Sequence, residues 1–349
     1  MKILYHINSL ETVYAARFIY EGYKTAFKEM GHEFFTYTAS DDLEKTLEEV
    51  NPDMMITSLN WYNLKYLDLD LIKKYRNRGM VLFMQLTSWQ VISTQLGGLG
   101  LKNDPVLVKL IKDGSAGDVF FHWIEKDGYN MEGFTEETGC TFHTILLAAD
   151  TSRFYPDYDS NYISDISYVG SYIPEKRKIM RERLFPLMKK YNTKVYGSDW
   201  NVVDRVIGFV QKVGQYFNLP VLKGLRRLSL SLEAERKVYS SSTISLNIHE
   251  EHQRRNGMDF NERTFKIIAS GGFEICDNVA ALRRYFNEEE LVIAENTKDW
   301  FEKIDYFVRN PEKRIKIIEA GRKKVLAEHT YKNRVAQFID IYKKHKGLV

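Results

Sequence analysis

The sequence predicts an α/β fold of two Rossmann-like, doubly wound domains that face each other across a cleft. Strand-like and helix-like segments alternate along the chain, which is typical of right-handed βαβ units and parallel sheets. A polar stretch with one proline at residues 150–165 interrupts this alternation. The length of 349 residues also exceeds what one hydrophobic core usually serves. Because such domains bind ligands at the carboxyl ends of their strands, we expect the site in the cleft.

Short apolar runs predict six strands in the first half, at residues 2–8, 33–39, 54–59, 80–86, 118–124 and 141–147. Apolar residues at helical spacing predict helices between them, at residues 12–30, 41–49, 64–77, 105–112 and 129–138. Gly31 is expected to end the first of these helices. Residues 1–155 are therefore predicted to form the N-terminal domain.

The second half repeats the same alternation. Strands are predicted at residues 166–172, 194–200, 243–249 and 291–295, with one more at the end of the stretch NERTFKIIASGGFEICD, residues 261–277. Helices are predicted at 175–191, across 202–239, near the start of 261–277, and at 297–309, 311–328 and 331–345. Residues 156–330 are predicted to form the C-terminal domain, and the helix in 331–349 to pack back towards the N-terminal one.

Composition excludes several classes of protein. Hydrophobic residues make up 44% and charged residues 28% of the chain, which favours a folded protein over a disordered one. The formal net charge of +3 is too small to indicate a nucleic-acid partner. Two distant cysteines, Cys140 and Cys276, favour a reducing compartment, and no run approaches the ~20 apolar residues of a membrane span. We therefore expect a cytoplasmic, soluble or peripheral protein.

Several motifs resemble a known family when they are taken in order. They are AFKEMGHEFFTYT, LLAADTSRFYP, ISYVGSYIPEKRKIM, KVYGSDW, ISLNIHEEH, NERTFKIIASGGFEICD and HTYKNRVAQFI. Their order and spacing resemble glycosyltransferases of the GT-B fold, and are similar to the CgeB-like branch often labelled glycosyl transferase family 1. The resemblance covers nearly the whole chain and is densest from about residue 166 to residue 340.

This resemblance implies a nucleotide-diphosphate sugar as donor, a UDP-sugar first of all, and no other cofactor. Such a donor is an anion, which suits backbone N–H groups at helix starts together with Arg or Lys side chains. The donor-binding residues implied are Gly170, Ser171, Lys176, Arg177, Gly197, Trp200, Asn261, Glu262, Lys266, Gly271 and Gly272. The segment VGSY also suits a plain turn before a solvated basic helix, and Trp200 suits a core position as well as a stacking one.

The stretch 261–277 combines a helix start with a glycine pair. We expect Asn261 to cap the helix, Gly271 to end it, and Arg263 to lie against the donor phosphate or sugar. The resembled family usually has Glu where this chain has Lys266, and a Lys cannot accept hydrogen bonds from ribose hydroxyls. Lys266 is four residues after Glu262, so an i,i+4 ion pair on the helix surface is the simpler explanation of this position.

The N-terminal domain is expected to carry the acceptor, with Gln85, Thr87 and Trp89 on its side of the cleft. No titratable side chain lies near Gln85, where relatives carry His or Asp. The general base is then sought among His122, Glu125, Asp127 and His6, although a lone His on a strand is more often a hydrogen-bonded core residue. The loop at residues 87–100 suits either a mobile acceptor-side loop or an ordinary surface loop.

Two further signals are weighed and set aside. The segment HEEHQ at 249–253 resembles a zinc motif, but its second His comes one residue early, so no metal site is expected. Residues 206–230 mix apolar and basic residues, which suits either contact with a membrane surface or core helices with a basic outer face.

The sequence thus predicts a metal-independent glycosyltransferase that moves a sugar to a hydroxyl acceptor, such as a cell-surface polysaccharide or its precursor. Arg263, with His122 or Glu125, is the predicted catalytic set, and retention of anomeric configuration is favoured because no general base is evident. Two alternatives stay open at this point. They are a nucleotide-sugar epimerase on the same fold and a non-catalytic coat or nucleotide-binding protein.

Overall fold

A computed structural model describes residues 1–11, 15–92, 100–225 and 230–348 of the chain. It contains two compact units. Unit 1 comprises residues 1–146, 209–226 and 332–349, and unit 2 comprises residues 147–208 and 227–331. Unit 1 therefore includes residues 209–226, which the sequence assigns to the C-terminal domain.

Unit 1 contains a parallel sheet of six strands in the order β2-β1-β3-β4-β5-β6. The strands are β1 (Lys2–His6), β2 (Glu33–Tyr37), β3 (Met54–Ser58), β4 (Val81–Gln85), β5 (Val119–His122) and β6 (Phe142–Thr144). Each occupies a run predicted from the sequence. Because β3 and β4 are almost entirely buried, their apolar runs are continuous rather than alternating.

Unit 2 contains a parallel sheet of five strands in the order β11-β10-β9-β7-β8. These are β7 (Ser164–Val169), β8 (Thr193–Tyr196), β9 (Ser242–Asn247), β10 (Glu274–Asp277) and β11 (Val292–Ala294). Its core forms around Tyr168, Leu246, Phe273 and Trp300. Both sheets are parallel throughout, so the prediction of two doubly wound α/β sheets is confirmed.

The helices of the first half are α1 (Ala15–Glu29), α2 (Leu43–Val50), α3 (Trp61–Leu64), α4 (Leu69–Asn77), α5 (Pro105–Lys112) and α6 (Phe134–Thr138). They are followed by α7 (Pro174–Ile179), α8 (Phe185–Lys190), α9 (Val202–Tyr216), α10 (Pro220–Lys223), α11 (Leu232–Ser241) and α12 (Glu251–Asn256). The last five are α13 (Arg263–Ala269), α14 (Leu282–Tyr285), α15 (Thr297–Arg309), α16 (Pro311–Glu328) and α17 (Tyr331–His345). No helix in the described part of the chain is long and apolar enough to cross a membrane.

Three predicted helices are interrupted. The helix expected at 64–77 is α3 followed by α4, because the Asp68 side chain caps α4 by accepting from the Leu71 amide. The helix expected at 129–138 begins only after Gly133, which has φ +83°. Between α7 and α8 the helix widens into one π-helical turn at Met180–Leu184. The short helices α12 and α14 were not predicted.

The strand orders fix where ligands can bind. In unit 2, β8 and β9 lie on opposite sides of β7, so the chain changes direction between β7 and β9. In unit 1 the corresponding change lies between β1 and β3. Open parallel sheets bind ligands in the crevice at the carboxyl ends of such strand pairs.

The last helix supplies part of the core of unit 1. Phe338 on α17 is fully buried, and its ring lies 5.0 to 5.5 Å from the rings of Phe121, Phe83 and Tyr23. Arg334 of the same helix donates from Nε to the Leu146 carbonyl oxygen at 3.0 Å. The segment 332–349 is therefore structural in unit 1.

Replacing Phe338 by Ala should lower the free energy of unfolding by about 3 to 5 kcal/mol, because the change removes a fully buried ring and leaves a cavity. The exposed neighbour Gln337→Ala is the control and should stay within about 0.5 kcal/mol of the parent. Urea unfolding followed by circular dichroism measures both. A loss no larger for Phe338→Ala than for the control would contradict this assignment.

Candidate functional site

The polar residues of unit 2 converge at the carboxyl ends of β7 and β9, where its strand order reverses. Gly170 directly follows β7, and Asn247 is the last residue of β9. Arg263 begins α13 and reaches both strand ends. A Cβ atom built on Gly170 would lie 3.0 Å from Nη2 of Arg263. This is the crevice at which doubly wound sheets bind ligands.

Asn247 organises this crevice through its side-chain amide. Its Oδ1 accepts from Nη1 of Arg263 at 2.8 Å and from Nδ2 of Asn261 at 3.2 Å. Its Nδ2 donates to Oε1 of Glu274 at 2.9 Å and to Oγ1 of Thr264 at 3.0 Å. Asn247 therefore fixes the guanidinium of Arg263 from one side. It was not singled out from the sequence, because an Asn at a strand end carries no distinctive signal.

Arg263 is a half-buried cation in this crevice. Among the described residues, no carboxylate oxygen lies within 4.0 Å of its guanidinium nitrogens. The guanidinium carbon lies 5.6 Å from the ring centre of Tyr168, which gives a cation–π contact. A partly desolvated guanidinium held by a neutral amide and an aromatic ring keeps its full charge.

Lys176 adds a second cation. Its side chain is buried, and its Nζ lies 3.9 Å from Oε1 of Glu250. Burial, with the nearby charge of Arg263, lowers the pKa of Lys176 to about 8. The predicted neighbours of Lys176 are placed differently. Arg177 donates from Nε to the Tyr172 carbonyl oxygen at 3.4 Å, and Lys178 points to solvent.

Two glycines allow the strand-end turns to approach each other. Gly197 has φ +133°, and a Cβ atom there would lie 2.2 Å from the Gly170 carbonyl oxygen. Trp200 donates from Nε1 to that same oxygen at 3.0 Å and stacks on Tyr172 at 5.0 Å between ring centres. Trp200 therefore closes the local core. Ser171 donates from Oγ to Oγ of Ser198 at 3.2 Å, so its hydroxyl also supports the turn.

The stretch 261–277 folds largely as expected, with one shift at its start. The helix begins at Arg263, and the Asn261 side chain accepts from the Arg263 amide at 3.1 Å. Asn261 thus caps this end in the manner of an Asx turn, although Glu262 precedes the helix directly. At the other end Gly271 has φ +72°. A Cβ atom on Gly272 would lie 2.8 Å from the Tyr239 carbonyl oxygen, so this glycine packs against protein backbone.

The predicted ion pair of Lys266 is present but is not on a surface. Nζ of Lys266 lies 3.4 Å from Oε1 of Glu262 and 3.6 Å from Oε1 of Glu235 on α11. Its side chain is only 7% exposed and lies over the ring of Phe154. The expectation of a surface pair is therefore wrong, because α11 and Phe154 cover this face of α13. Glu235 gave no signal in the sequence because it lies 31 positions away.

Glu274 is a buried carboxyl that the sequence placed on a strand without a role. Its Oε1 accepts from Asn247 and from Oγ1 of Thr264, each at 2.9 Å. Its Oε2 is buried without a hydrogen-bond partner among the described residues. Burial raises the pKa of Glu274 to about 7, although the two hydrogen bonds oppose this shift. Glu274 is thus protonated below neutral pH.

The segment HEEHQ folds as a helix start. Glu250 and Gln253 form a capping box for α12, with Oε1 of Gln253 accepting from the Glu250 amide at 3.1 Å. The Gln that breaks the zinc motif therefore has a structural role. His249, just before it, is fully buried, and its Nδ1 lies 2.6 Å from Oδ1 of Asp277 at the end of β10. Burial acts to raise the pKa of Asp277, but the contacts with His249 outweigh it and lower that pKa.

His252 lies among three carboxylates. Its Nδ1 is 2.9 Å from Oε2 of Glu175 and 3.7 Å from Oε2 of Glu250, and its Nε2 is 3.6 Å from Oδ2 of Asp259. Although burial acts against it, hydrogen bonds to Asp259 and Glu175 raise the pKa of His252. Glu175, Glu250 and His252 are the residue types that could hold a metal ion. When His252 is protonated, it forms ion pairs with Glu175 and Glu250, and these three residues need no metal ion.

The histidines proposed as bases in unit 1 both use their ring nitrogens within the fold. Nδ1 of His122 accepts from the Ile124 amide at 3.1 Å. The two ring nitrogens of His6 lie 2.8 Å from Oγ1 of Thr57 and from Oδ1 of Asn8. Burial lowers the pKa of His6 to about 4. Both therefore act as hydrogen-bonded core residues, while Glu125 is half-buried and Asp127 exposed nearby.

The predicted acceptor-side residues separate into three environments. Gln85 accepts from Oγ of Ser58 at 3.0 Å at the end of β4, and Thr87 is exposed. Trp89 is fully buried, with its ring 5.4 Å from that of Phe134 and its Nε1 donating to Oε1 of Glu137 at 3.2 Å. The expectation that Trp89 contacts an acceptor is therefore corrected to a core role. Residues 93–99 of the predicted mobile loop lie outside the described residues.

Residues 177–340 match the model of a glycosyl transferase-like family. No curated protein matches the sequence significantly.

The whole chain also resembles solved structures. A sucrose-phosphate synthase from Thermosynechococcus elongatus is 12% identical, with a TM-score of 0.63 and full coverage of both chains. The catalytic domain of starch synthase IV from Arabidopsis thaliana, bound to ADP and acarbose, is 9% identical with a TM-score of 0.63 and 99% coverage of both chains. An alpha-glucosyltransferase in complex with UDP is 11% identical with a TM-score of 0.65, over 98% of this chain and 100% of that one. At these identities the likeness establishes the fold.

Replacing Glu274 by Gln should remove a pH-dependent part of the stability. The folded protein keeps a proton on Glu274 up to about pH 7, whereas the unfolded chain releases it near 4.5, so this stabilisation is lost as pH rises through 7. The parent should lose up to ~3 kcal/mol from this group between pH 5 and 8, and Glu274→Gln should not. Urea unfolding at both values measures it. Exposed Glu288→Gln is the control and should keep the parent's dependence; an equal slope in Glu274→Gln would refute the assignment.

Proposed function

We propose that this chain, whose residues 177–340 match a glycosyl transferase-like family and whose fold is of the GT-B type, moves a sugar from a nucleotide-diphosphate sugar to a hydroxyl acceptor. The observation that carries this proposal is the pair of cations, Arg263 and Lys176, at the strand-end crevice of unit 2. A departing nucleoside diphosphate develops negative charge on its phosphate oxygens, and fixed cations in a poorly hydrated crevice stabilise that charge. The CgeB-like assignment within this class stays a prediction.

The donor proposed is a UDP-sugar. One structural relative is solved with UDP and another with ADP, and a UDP-sugar is the donor that the family resemblance implies. Lys266 carries an ammonium group, so it cannot accept hydrogen bonds from ribose hydroxyls, and it is paired with Glu262 and Glu235. We therefore propose that Arg263 and Lys176 bind the diphosphate in the crevice. Gly170, which has no side chain, would allow the phosphates to approach the backbone. Under this proposal affinity depends on the phosphates more than on the nucleoside.

Transfer with retention is the mechanism that we favour. The acceptor oxygen bonds to the anomeric carbon on the face from which the diphosphate leaves, the bond from that carbon to the phosphate oxygen breaks, and the acceptor proton passes to the leaving phosphate. This route needs no protein base. It fits unit 1, where the Nδ1 lone pair of His122 is already used by the Ile124 amide. We propose that cations in place of a metal balance the leaving charge.

The acceptor proposed is a carbohydrate, such as a surface polysaccharide or its precursor, in the cytoplasm. A related alpha-glucosyltransferase is solved with UDP-glucose and DNA, but a net charge of +3 does not favour a nucleic acid here. The epimerase alternative predicts conversion of the donor sugar without any acceptor. The coat-protein alternative predicts that no nucleotide binds.

The test is to incubate the protein with UDP-glucose, and in parallel with ADP-glucose, with and without a panel of oligosaccharides and a DNA duplex. NMR then follows the anomeric proton. A new glycosidic signal that requires an acceptor supports transfer, and its coupling constant reports retention or inversion. Conversion of the donor sugar in the sample without acceptor would show epimerisation and contradict the proposal. No new signal in any sample would favour the coat-protein alternative.

Replacing Arg263 by Ala should weaken UDP binding about 10- to 100-fold, because charge-assisted hydrogen bonds to phosphate contribute about 1.5 to 3 kcal/mol. Arg263→Lys should bind UDP more tightly than Arg263→Ala but less tightly than the parent, because Lys keeps the positive charge and lacks the paired N–H donors of the guanidinium. Isothermal titration measures each Kd. Exposed Arg255→Ala is the matched control. Equal affinity in Arg263→Ala and the control would remove Arg263 from the donor site.

Affinity for UDP should fall as pH rises through about 8, because Lys176 then loses the proton that makes it a cation. Lys176→Arg should hold its affinity to higher pH, and Lys176→Gln should be weak and pH-independent over this range, with a loss of about tenfold at pH 7. Titrations at pH 7, 8 and 9 measure this. Exposed Lys178→Gln serves as the control. A flat profile in the parent would contradict a role for Lys176.

A further inference from the structure

Residues 209–225 of unit 1 expose an unusual amount of apolar surface. Phe209, Phe217 and Val221 are 69%, 64% and 84% exposed. Tyr216, Leu219 and Leu225 are also exposed, and we call these six residues the apolar ridge. Single exposed apolar residues are ordinary, but six within 17 positions are not, because soluble proteins rarely expose apolar patches of this extent without a partner.

Two amide side chains of this segment make hydrogen bonds within unit 1 instead. Gln211 on α9 is fully buried and donates from Nε2 to the Lys223 carbonyl oxygen at 2.6 Å. Asn218 donates from Nδ2 to the Ala39 carbonyl oxygen at 3.1 Å, and Nζ of Lys65 donates to the Tyr216 carbonyl oxygen. Hydrogen bonds therefore attach the segment to unit 1, so the apolar ridge is presented by anchored backbone.

The second half of the segment is held against the first by close packing. A Cβ atom built on Gly214 would lie 2.4 Å from Cβ of Leu222, so α10 lies directly against α9 at this glycine. The ring of Tyr216 lies 6.5 Å from that of Tyr62, and Nζ of Lys65 lies 4.1 Å from the Tyr216 ring centre. Tyr216 therefore uses part of its ring within unit 1, whereas Phe209, Phe217 and Val221 stay mostly exposed.

The charge of the region identifies the partner. Residues 205–232 contain five basic residues and no acidic one, whereas acidic and basic residues are nearly equal in the chain as a whole. Lys212 is exposed on α9 between Phe209 and Tyr216. A second copy of the chain would bring like charges together across a symmetric contact, which disfavours self-association. Lys223 is buried, but an anionic lipid surface attracts the exposed Lys212 and also accepts aromatic and aliphatic side chains at its interface.

We propose that residues 209–225 form a membrane-docking surface that inserts the apolar ridge into the headgroup region of an anionic bilayer. The surface belongs to unit 1, which we expect to receive the acceptor, so docking would bring the enzyme to an acceptor held at a membrane. This inference does not depend on the proposed reaction. Vesicle binding is measurable whether or not sugar transfer is found.

The experiment is flotation of the full chain with vesicles of phosphatidylcholine alone or with about 30% phosphatidylglycerol, at low salt. Binding to the anionic vesicles only, weakened by added salt, is expected. Phe209→Ser and Phe217→Ser should each weaken binding about tenfold, because each removes the insertion of one aromatic ring. Lys212→Glu should weaken binding and reduce its salt dependence.

Tyr306→Ser is the matched control, because Tyr306 is an exposed aromatic residue on α15 of unit 2. It should bind vesicles like the parent. Thermal unfolding of every variant should match that of the parent, since the substituted side chains are exposed. Absence of vesicle binding, or binding unaffected by both Phe substitutions, would overturn the proposal. So would a parent dimer in light scattering that the Phe substitutions convert to monomer, because a second copy would then cover the apolar ridge.

Discussion

The candidate site depends on one side-chain amide. Asn247 accepts from Arg263 through its oxygen and donates to Glu274 through its nitrogen. The two ends of an amide cannot exchange roles without losing both contacts, so the orientation of Asn247 fixes the direction of the guanidinium. A buried polar network of this kind is stable only while each member keeps its partners. Thr264 in the first turn of α13 and Asn261 just before that helix complete it.

Charge is distributed unevenly around this amide. Arg263 is held by neutral and aromatic groups, whereas Lys266 on the same helix is paired with two carboxylates. Lys266 is thus neutralised within the fold, whereas Arg263 is the cation that we propose to meet the donor phosphates. Lys176 is intermediate between Lys266, which is paired with carboxylates, and Arg263, which is held by neutral and aromatic groups. Burial lowers the pKa of Lys176, and the nearby carboxylate of Glu250 offsets part of that shift. Separation of structural from ligand-directed charge within one helix is the physical basis of the proposed donor site.

Histidines serve the fold in both units. His6 and His122 use their ring nitrogens inside unit 1, and His249 pairs with Asp277 inside unit 2. Each of these three imidazoles therefore uses at least one ring nitrogen in a contact within the fold. The proposed reaction, in which the leaving phosphate takes the acceptor proton, needs none of them as a base.

The sequence alone determined the two parallel sheets, because buried strands and amphipathic helices leave distinct apolar periods. It also placed Arg263 and Lys176 among the predicted donor-binding residues, Arg263 through the family resemblance and Lys176 through the basic helix start after the VGSY turn, and both stay predictions. Tertiary structure decided what lies opposite each side chain. Trp89 and Lys266 become buried, and Asn247 and Glu235 gain importance, through contacts between residues distant in sequence. Such contacts depend on how strands and helices pack against each other. The spacing of apolar residues along the sequence does not predict that packing.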